Sequence, residues 1–286
     1  MPVELFKYRA FDKYTILNLL NQTVWLPKVE QLNDPFDGQF KLTDAAPDID
    51  TFIDHCAKFS EWFGQNEGLT INIENIRKEM FLPDGTPNDE LREYAHSFKD
   101  FFESKCKDTG VLSLSSTAEN TTMWSHYGDE HTGICIGYDP SKLFNKSYGN
   151  GLPWLREVKY LDESQISRNS YLLYAESGFG SSSAATKEFF KRMLSVKVSD
   201  WTYEKEWRFI LPECGGQVYS INKNAITSIT FGLRTTIDSK HALVNLIRNL
   251  GIHPKTYQII RNAETLGLER VSLESKPEYW KMVGEE

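Results

Sequence analysis

Apolar positions along the chain fall into two textures. From Phe11 to Asn21 they recur at helical spacing, with Tyr14, Leu17 and Leu20 on one stripe and Asp12 placed as a cap. Thr23 to Leu26 reads as a short strand stopped by Pro27, and Asn33-Asp34-Pro35-Phe36-Asp37-Gly38 is a dense turn signal. The stretch from Pro47 to Lys107 reads as mostly helical. Ile49, Phe52, Ile53, Cys56, Phe59 and Phe63 form one stripe, Leu91, Tyr94, Phe98, Phe101 and Phe102 another, and Pro83-Asp84-Gly85 with Pro87 breaks the run. This predicts a helical insertion at about residues 47–107.

From Gly110 the texture turns to β. Gly110 to Ser115 alternates, and Thr132 to Tyr138 is a buried-strand pattern, with a short helix predicted between them at Asn120 to Tyr127. Further strands are predicted at Arg156–Tyr160, Trp207–Leu211, Ser228–Phe231, Tyr257–Ile260 and Arg270–Leu273. Ala185–Leu194 and Ser239–Leu250 read as helices, and Ser177 to Ser183 as a flexible loop. No repeat or Pro-rich linker divides the chain. The order predicts a single α+β domain over residues 1–286 with an antiparallel or mixed sheet rather than regular βαβ winding.

Composition narrows the function classes. With 286 residues, 40% hydrophobic and 25% charged, the chain has the make-up of a globular protein and is too apolar to be disordered. Forty acidic against 32 basic residues give a net charge of −8, which disfavours a general nucleic-acid coat or a polybasic membrane anchor but not a local basic groove. The aromatic content of 13% predicts a core rich in ring contacts. Cys56, Cys106, Cys135 and Cys214 are scattered, without the spacing of a zinc ribbon or a thioredoxin motif. Met1 to Ala10 carries no apolar signal-peptide core, and no run approaches the roughly 18 apolar residues of a membrane span. The expectation is a cytoplasmic protein with free thiols and no membrane partner.

Several chemistries lack their signatures. The Ser/Gly loop before Lys187 is not spaced as a P-loop, Gly133 and Gly137 do not make a dinucleotide fingerprint, and no G-x-S-x-G elbow is present. His126 and His131 bracket an Asp and a Glu, yet the spacing with an intervening glycine does not match helical zinc ligation, so no metal site is assigned. The most informative segment is Trp201-Thr202-Tyr203-Glu204-Lys205-Glu206-Trp207-Arg208. In a strand, Glu204 and Glu206 project to one face, either as catalytic carboxylates or as an ion-paired edge using Arg208 or Lys205. Ser113 and Ser115 likewise share a face, either as site residues or as a solvent-facing hydroxyl ladder.

Taken in order, Tyr8-Arg9, the Asn33–Asp37 block, Leu112-Ser113-Leu114-Ser115, Met123-Trp124-Ser125-His126-Tyr127, His131-Thr132-Gly133-Ile134-Cys135 and Tyr203 to Arg208 resemble the bacterial domain of unknown function 2971 family, from about Leu5 to Gly232. The family carries no assigned activity. Some relatives resemble abortive phage-infection proteins, which implies a role in defence. The block order is also similar to that of ADP-ribosyltransferase toxins: an early Arg, a Ser-Thr-Ser strand and a later Glu-x-Glu. The matching positions are Arg9, then Ser113 and Ser115 with Leu114 in place of Thr, then Glu204 and Glu206. Tyr127 is an alternative match for the middle position.

That second resemblance implies a two-sheet core of the ADP-ribosyltransferase fold and NAD as substrate, with an acceptor it does not identify. Glu206 would stabilise an oxocarbenium-like ribose and Glu204 would orient or deprotonate the acceptor. Arg9 would hold the pyrophosphate or ribose, Ser113 or Ser115 would brace the site, and Trp124, Tyr127 or Trp207 would stack on nicotinamide or adenine, with His126 as a substrate contact. The expectation is therefore ADP-ribosyl transfer or NAD hydrolysis, with Arg9, Ser113 or Ser115, and Glu206 in one cavity. Its rivals are a non-catalytic defence module that binds a nucleotide or nucleic acid, and a metal-dependent nuclease using His126, Asp129, Glu204 and Glu206.

Overall fold

A computed structural model describes residues 2–38, 42–43, 45–67, 72–144, 153–162, 168–176 and 184–274. The strands are β1 (Leu5–Arg9), β2 (Thr23–Leu26), β3 (Leu42–Thr43), β4 (Gly110–Ser115), β5 (Ile134–Tyr138), β6 (Trp154–Glu157), β7 (Lys159–Leu161), β8 (Arg168–Asn169), β9 (Val196–Val198), β10 (Glu206–Leu211), β11 (Gln217–Ser220), β12 (Ile226–Phe231), β13 (Lys255–Asn262) and β14 (Gly267–Ser272). Helices α1 (Lys13–Asn21), α2 (Ile49–Glu67), α3 (Ile73–Met80), α4 (Asp89–Lys107) and α5 (Thr121–Tyr127) are followed by helices at Ser170–Glu176, Ala184–Met193 and Ile237–Asn249. The predicted Ser177–Ser183 loop lies outside the described residues. Among the described residues no helix is long and apolar enough to cross a membrane.

The chain forms two compact units, each assembled from separate stretches. The described residues of Met1–Pro27, Gly110–Val158 and Asp200–Glu286 make a sheet unit, and those of Lys28–Thr109 and Lys159–Ser199 a helical unit. The predicted insertion at 47–107 thus lies within a larger helical unit that also draws in residues 159–199. The strand predicted at Arg156–Tyr160 is divided at Val158 into β6 and β7, which belong to different units.

The sheet unit is an α+β arrangement on one eight-stranded sheet, in the order β14-β13-β12-β5-β1-β4-β10-β6. Every neighbouring pair is antiparallel except β12–β13, which is parallel and joined through helix Ile237–Asn249. A two-sheet core was expected; among the described residues of this unit the eight-stranded sheet is accompanied by the two-stranded ribbon β2–β11. Register assigns the faces. Phe6 opposes Ser115, and Ser115 opposes Glu206, so Phe6, Tyr8, Ser113, Ser115, Glu206 and Arg208 share one face. Leu5, Leu112, Leu114 and Phe209 fall on the other, where they join Leu19, Val24, Ile136, Leu243 and Ile247 in the main apolar core.

The α5-side face is more polar, and Arg270 joins two of its buried hydroxyls. The Arg270 guanidinium lies 3.7 Å over the Tyr257 ring and donates to Ser228 Oγ at 2.6 Å and Thr230 Oγ1 at 2.8 Å. A smaller core of Phe6, Tyr8, Met123, Trp124, Cys135 and Ile259 packs beside it. In α1 the buried side chains are Thr15 and Leu19, whereas Tyr14, Leu17 and Leu20 are exposed. The helix is turned away from the stripe read in the sequence.

The helical unit has an aromatic interior. Phe98 and Phe102 on α4 meet Phe189 edge to face at 5.3 and 5.5 Å, and Tyr94 stacks on Tyr174 at 5.6 Å. The Pro83-Asp84-Gly85 break is a turn, with Gly85 at φ 83° and Asn88 capping α4 through Leu91 N at 2.9 Å. In the Asn33–Asp37 block, Asp34 Oδ1 accepts from Phe36 N at 2.9 Å, and buried Asp37 lies 3.9 Å from buried Lys197. Both contacts give the block a structural role.

Candidate functional site

The helix α5 starts at Asn120, whose side chain accepts from Met123 N at 2.9 Å. The same amide donates to Tyr203 O at 3.1 Å, fastening the helix to the 3-10 turn Ser199–Glu204 that precedes β10. Trp124 anchors the helix from below. It is fully buried, donates from Nε1 to Ala118 O at 2.8 Å and meets Tyr8 edge to face at 5.1 Å. A ring with no exposed face cannot stack on a ligand, so Trp124 is a core residue and not the base platform expected.

Beyond α5 the chain turns back sharply. Asp129, Glu130 and His131 all adopt left-handed φ angles of 51°, 49° and 72°. Gly133 N then bonds Gly128 O at 2.9 Å, and a side chain at Gly133 would overlap the backbone oxygen of Arg9. This turn lays His131 over Trp124, while His126 stays exposed on the far end of α5. Among the described residues no three His, Cys, Asp or Glu side chains converge as metal ligands.

Glu204 and Glu206 do not share a strand face. Lys205 takes φ 45°, which ends the 3-10 turn and starts β10 at Glu206, so period-two parity does not connect the two acids. Glu206 is buried and paired with buried Arg208 through two contacts, Nε to Oε1 at 2.8 Å and an Nη to Oε2 at 2.9 Å. That is the ion-paired arrangement, formed with Arg208 rather than Lys205. Ser115 is buried and donates to Glu204 O at 2.6 Å, so it braces the turn and is not part of a solvent-facing ladder. Ser113 is on the same face, half-buried.

The carboxylate of Glu204 lies beside this face, at the end of the 3-10 turn. It is buried, and Tyr127 Oη donates to its Oε1 at 2.7 Å. Burial, and then the hydrogen bond to Glu204, hold the Tyr127 phenol well above its ordinary range, so it stays a proton donor. Burial, followed by the Glu204 charge, raises Tyr203 as well. The His126 ring lies 6.1 Å from Tyr127 and 6.1 Å from Tyr203, and Trp201 is 6.0 Å from Tyr203. Tyr203 and Trp201 were not among the expected site residues. Their place next to Glu204 was available in the segment itself, as aromatic residues flanking an acid.

Arg9 is elsewhere. It follows Lys7 on the face of β1 opposite Phe6 and Tyr8, and it lines a cleft with Leu19, Val24, Ile136 and Tyr138. The sheet itself therefore separates Arg9 from Ser113, Ser115 and Glu206, and the single cavity expected for them is not formed. The reason is one residue of parity: Tyr8 points to the α5 side, and its neighbour Arg9 points away.

Residues 123–209 match the family model described as a protein of unknown function (DUF2971), which supports that resemblance. The matched segment holds Tyr127, Tyr203, Glu204, Glu206 and Arg208 and leaves out Arg9, Ser113 and Ser115. No curated protein and no solved structure matches the chain.

Proposed function

We propose that the α5–β10 face binds a nucleotide, with NAD the candidate its chemistry favours, and that Glu204 is the carboxylate acting on it. The observation that carries this reading is a buried Glu204 carboxylate, held by Tyr127 and following Tyr203, with the exposed His126 ring 6.1 Å from both tyrosines. The nicotinamide ring of NAD is a planar cation, which aromatic faces and a carboxylate both attract. Cleavage of its N-glycosidic bond builds positive charge on the ribose, and a fixed carboxylate in a partly dry site stabilises that charge. Glu204 thus takes the role first given to Glu206, whose charge is balanced by Arg208. Arg9 takes no part. Consumption of NAD would fit the defence role that the family resemblance implies.

The pairing of Glu206 with Arg208 favours a second reading, in which the face binds a nucleotide without cleaving it. Calorimetric titration with NAD and detection of released nicotinamide distinguish the two. The first reading expects binding and release in the wild type. Glu204→Gln, which keeps shape and hydrogen bonding but loses charge, should lower release by a factor on the order of a hundred. Binding without release selects the second reading, and a wild type that neither binds nor cleaves NAD removes the first.

A further inference from the structure

We infer that the cleft beneath Arg9 is a binding site for a phosphate group, separate from the α5–β10 face and independent of what that face binds. The cleft is small and lies within the sheet unit, lined by residues of β1, α1, β2 and β5. Its polar lining is Lys7, Arg9, Thr15, Asn18, Thr23 and Tyr138, and none of its lining residues is acidic. Two cations facing one small cleft without a lining carboxylate are unusual in a chain of net charge −8.

The two cations are in different states. Lys7 Nζ donates to Ser113 O at 2.8 Å, so part of its hydrogen-bonding capacity is spent on the sheet. The half-buried Arg9 guanidinium has no hydrogen bond or ion pair among the described residues. Burial pushes the Tyr138 phenol up to about 12, and the Arg9 charge acts against that rise, which puts the guanidinium within electrostatic reach of the phenol. Asp12, the acid that begins α1, is occupied in capping it, accepting from Thr15 N at 2.8 Å.

The neutral groups favour an anion as well. Asn18 Oδ1 accepts from Thr23 Oγ1 at 3.2 Å, which leaves the Asn18 amide nitrogen as a donor. The Thr15 and Tyr138 hydroxyls add two more donors to the lining. A guanidinium fork, an ammonium and several neutral donors around a small space suit a tetrahedral oxyanion, as free phosphate or as the phosphate of a nucleotide.

The test uses the full chain and two probes, inorganic phosphate and adenosine monophosphate, titrated by calorimetry. Saturable binding of either probe is expected in the wild type and, undiminished for inorganic phosphate, in Glu204→Gln. Arg9→Gln should weaken it about tenfold or more, and Arg9→Lys by less, because a point charge keeps attraction but loses the fork. An unchanged circular dichroism spectrum and melting midpoint identify the Arg9 variants as folded. The stronger probe tells free phosphate from a nucleotide source. Absence of saturable binding of both probes, or equal binding by wild type and folded Arg9→Gln, overturns the site. Failure of NAD binding with phosphate binding intact would count against the α5–β10 face alone.

Discussion

Arg208 is among the largest fully buried side chains of the protein, and its charge is matched by Glu206. Removing one partner of such a pair weakens the compensation of a charge held in a dry place. Glu206→Gln is therefore expected to cost about 2–4 kcal/mol in urea unfolding, whereas Glu206→Leu with Arg208→Met should cost less than the two single changes added together. A Glu206→Gln protein as stable as the wild type would show that the pair contributes little. His131 makes a prediction in pH. Burial, and then the charge of Arg234, hold its imidazole below the ordinary value of 6.5, and its Nδ1 is buried without a partner among the described residues. The unfolded chain then takes up that proton more readily than the native state. Its contribution to stability is present above pH 6.5 or so and is lost as pH falls towards the lowered native value. His131→Gln should flatten the stability–pH curve in that window, as read by urea midpoints at successive pH values.

At the scale of elements, α5 and the turn before β10 behave as one piece through Asn120. A helix of seven residues has little stability of its own, so its cap and its anchor decide whether it forms. Asn120→Ala loses the cap to Met123 N and the bond to Tyr203 O together, with an expected cost of roughly 1–2 kcal/mol. Asn120→Asp keeps the cap and loses the donor to Tyr203. It should retain most of the stability yet weaken NAD binding by loosening Tyr203 and Glu204. Full affinity and stability in Asn120→Asp, with both lowered in Asn120→Ala, would mean that Asn120 acts only as a cap. The same elements show where pattern reading works. Gly110–Ser115 is recovered as β4 with its bounds, because an alternating run next to a glycine has few alternatives. In α1 the reading picks the wrong side. Spacing by three marks Tyr14, Leu17 and Leu20, but the sheet unit takes Thr15 and Leu19 inward, and helical spacing alone does not choose between adjacent faces.

For the whole molecule, the thiols report on each unit. Cys135 and Cys214 are buried in the sheet unit, Cys56 and Cys106 in the helical unit, and burial pushes both of the latter up to about 12. Native protein is expected to react slowly with a thiol reagent at every position, and full denaturation should expose all four. If NAD binds the sheet unit, it should protect Cys135 and Cys214 more than Cys56 and Cys106 at intermediate urea concentrations, since a ligand stabilises only the state that binds it. Protection spread evenly over the four thiols would show that the units unfold together.

Local pattern was enough to determine the α+β texture, most of the strands, the turns at Asn33–Gly38 and Pro83–Gly85, and the two segments, Met123–Tyr127 and Tyr203–Arg208, that build the α5–β10 face. These depend on neighbours in sequence, through caps, alternation and turn residues, so they can be read without a partner. The tertiary structure alone decided which of these residues meet. It divided residues 28–109 and 159–199 from the rest, because compactness depends on contacts between distant segments. It placed Tyr127 on Glu204 across 77 positions and bound Glu206 to Arg208 within a single strand. It also sent Arg9 through the sheet to the other side. Residue order along the chain is blind to that last choice, because a strand turns its side chains over at every step and only the register with β4 and β5 says which face each one reaches.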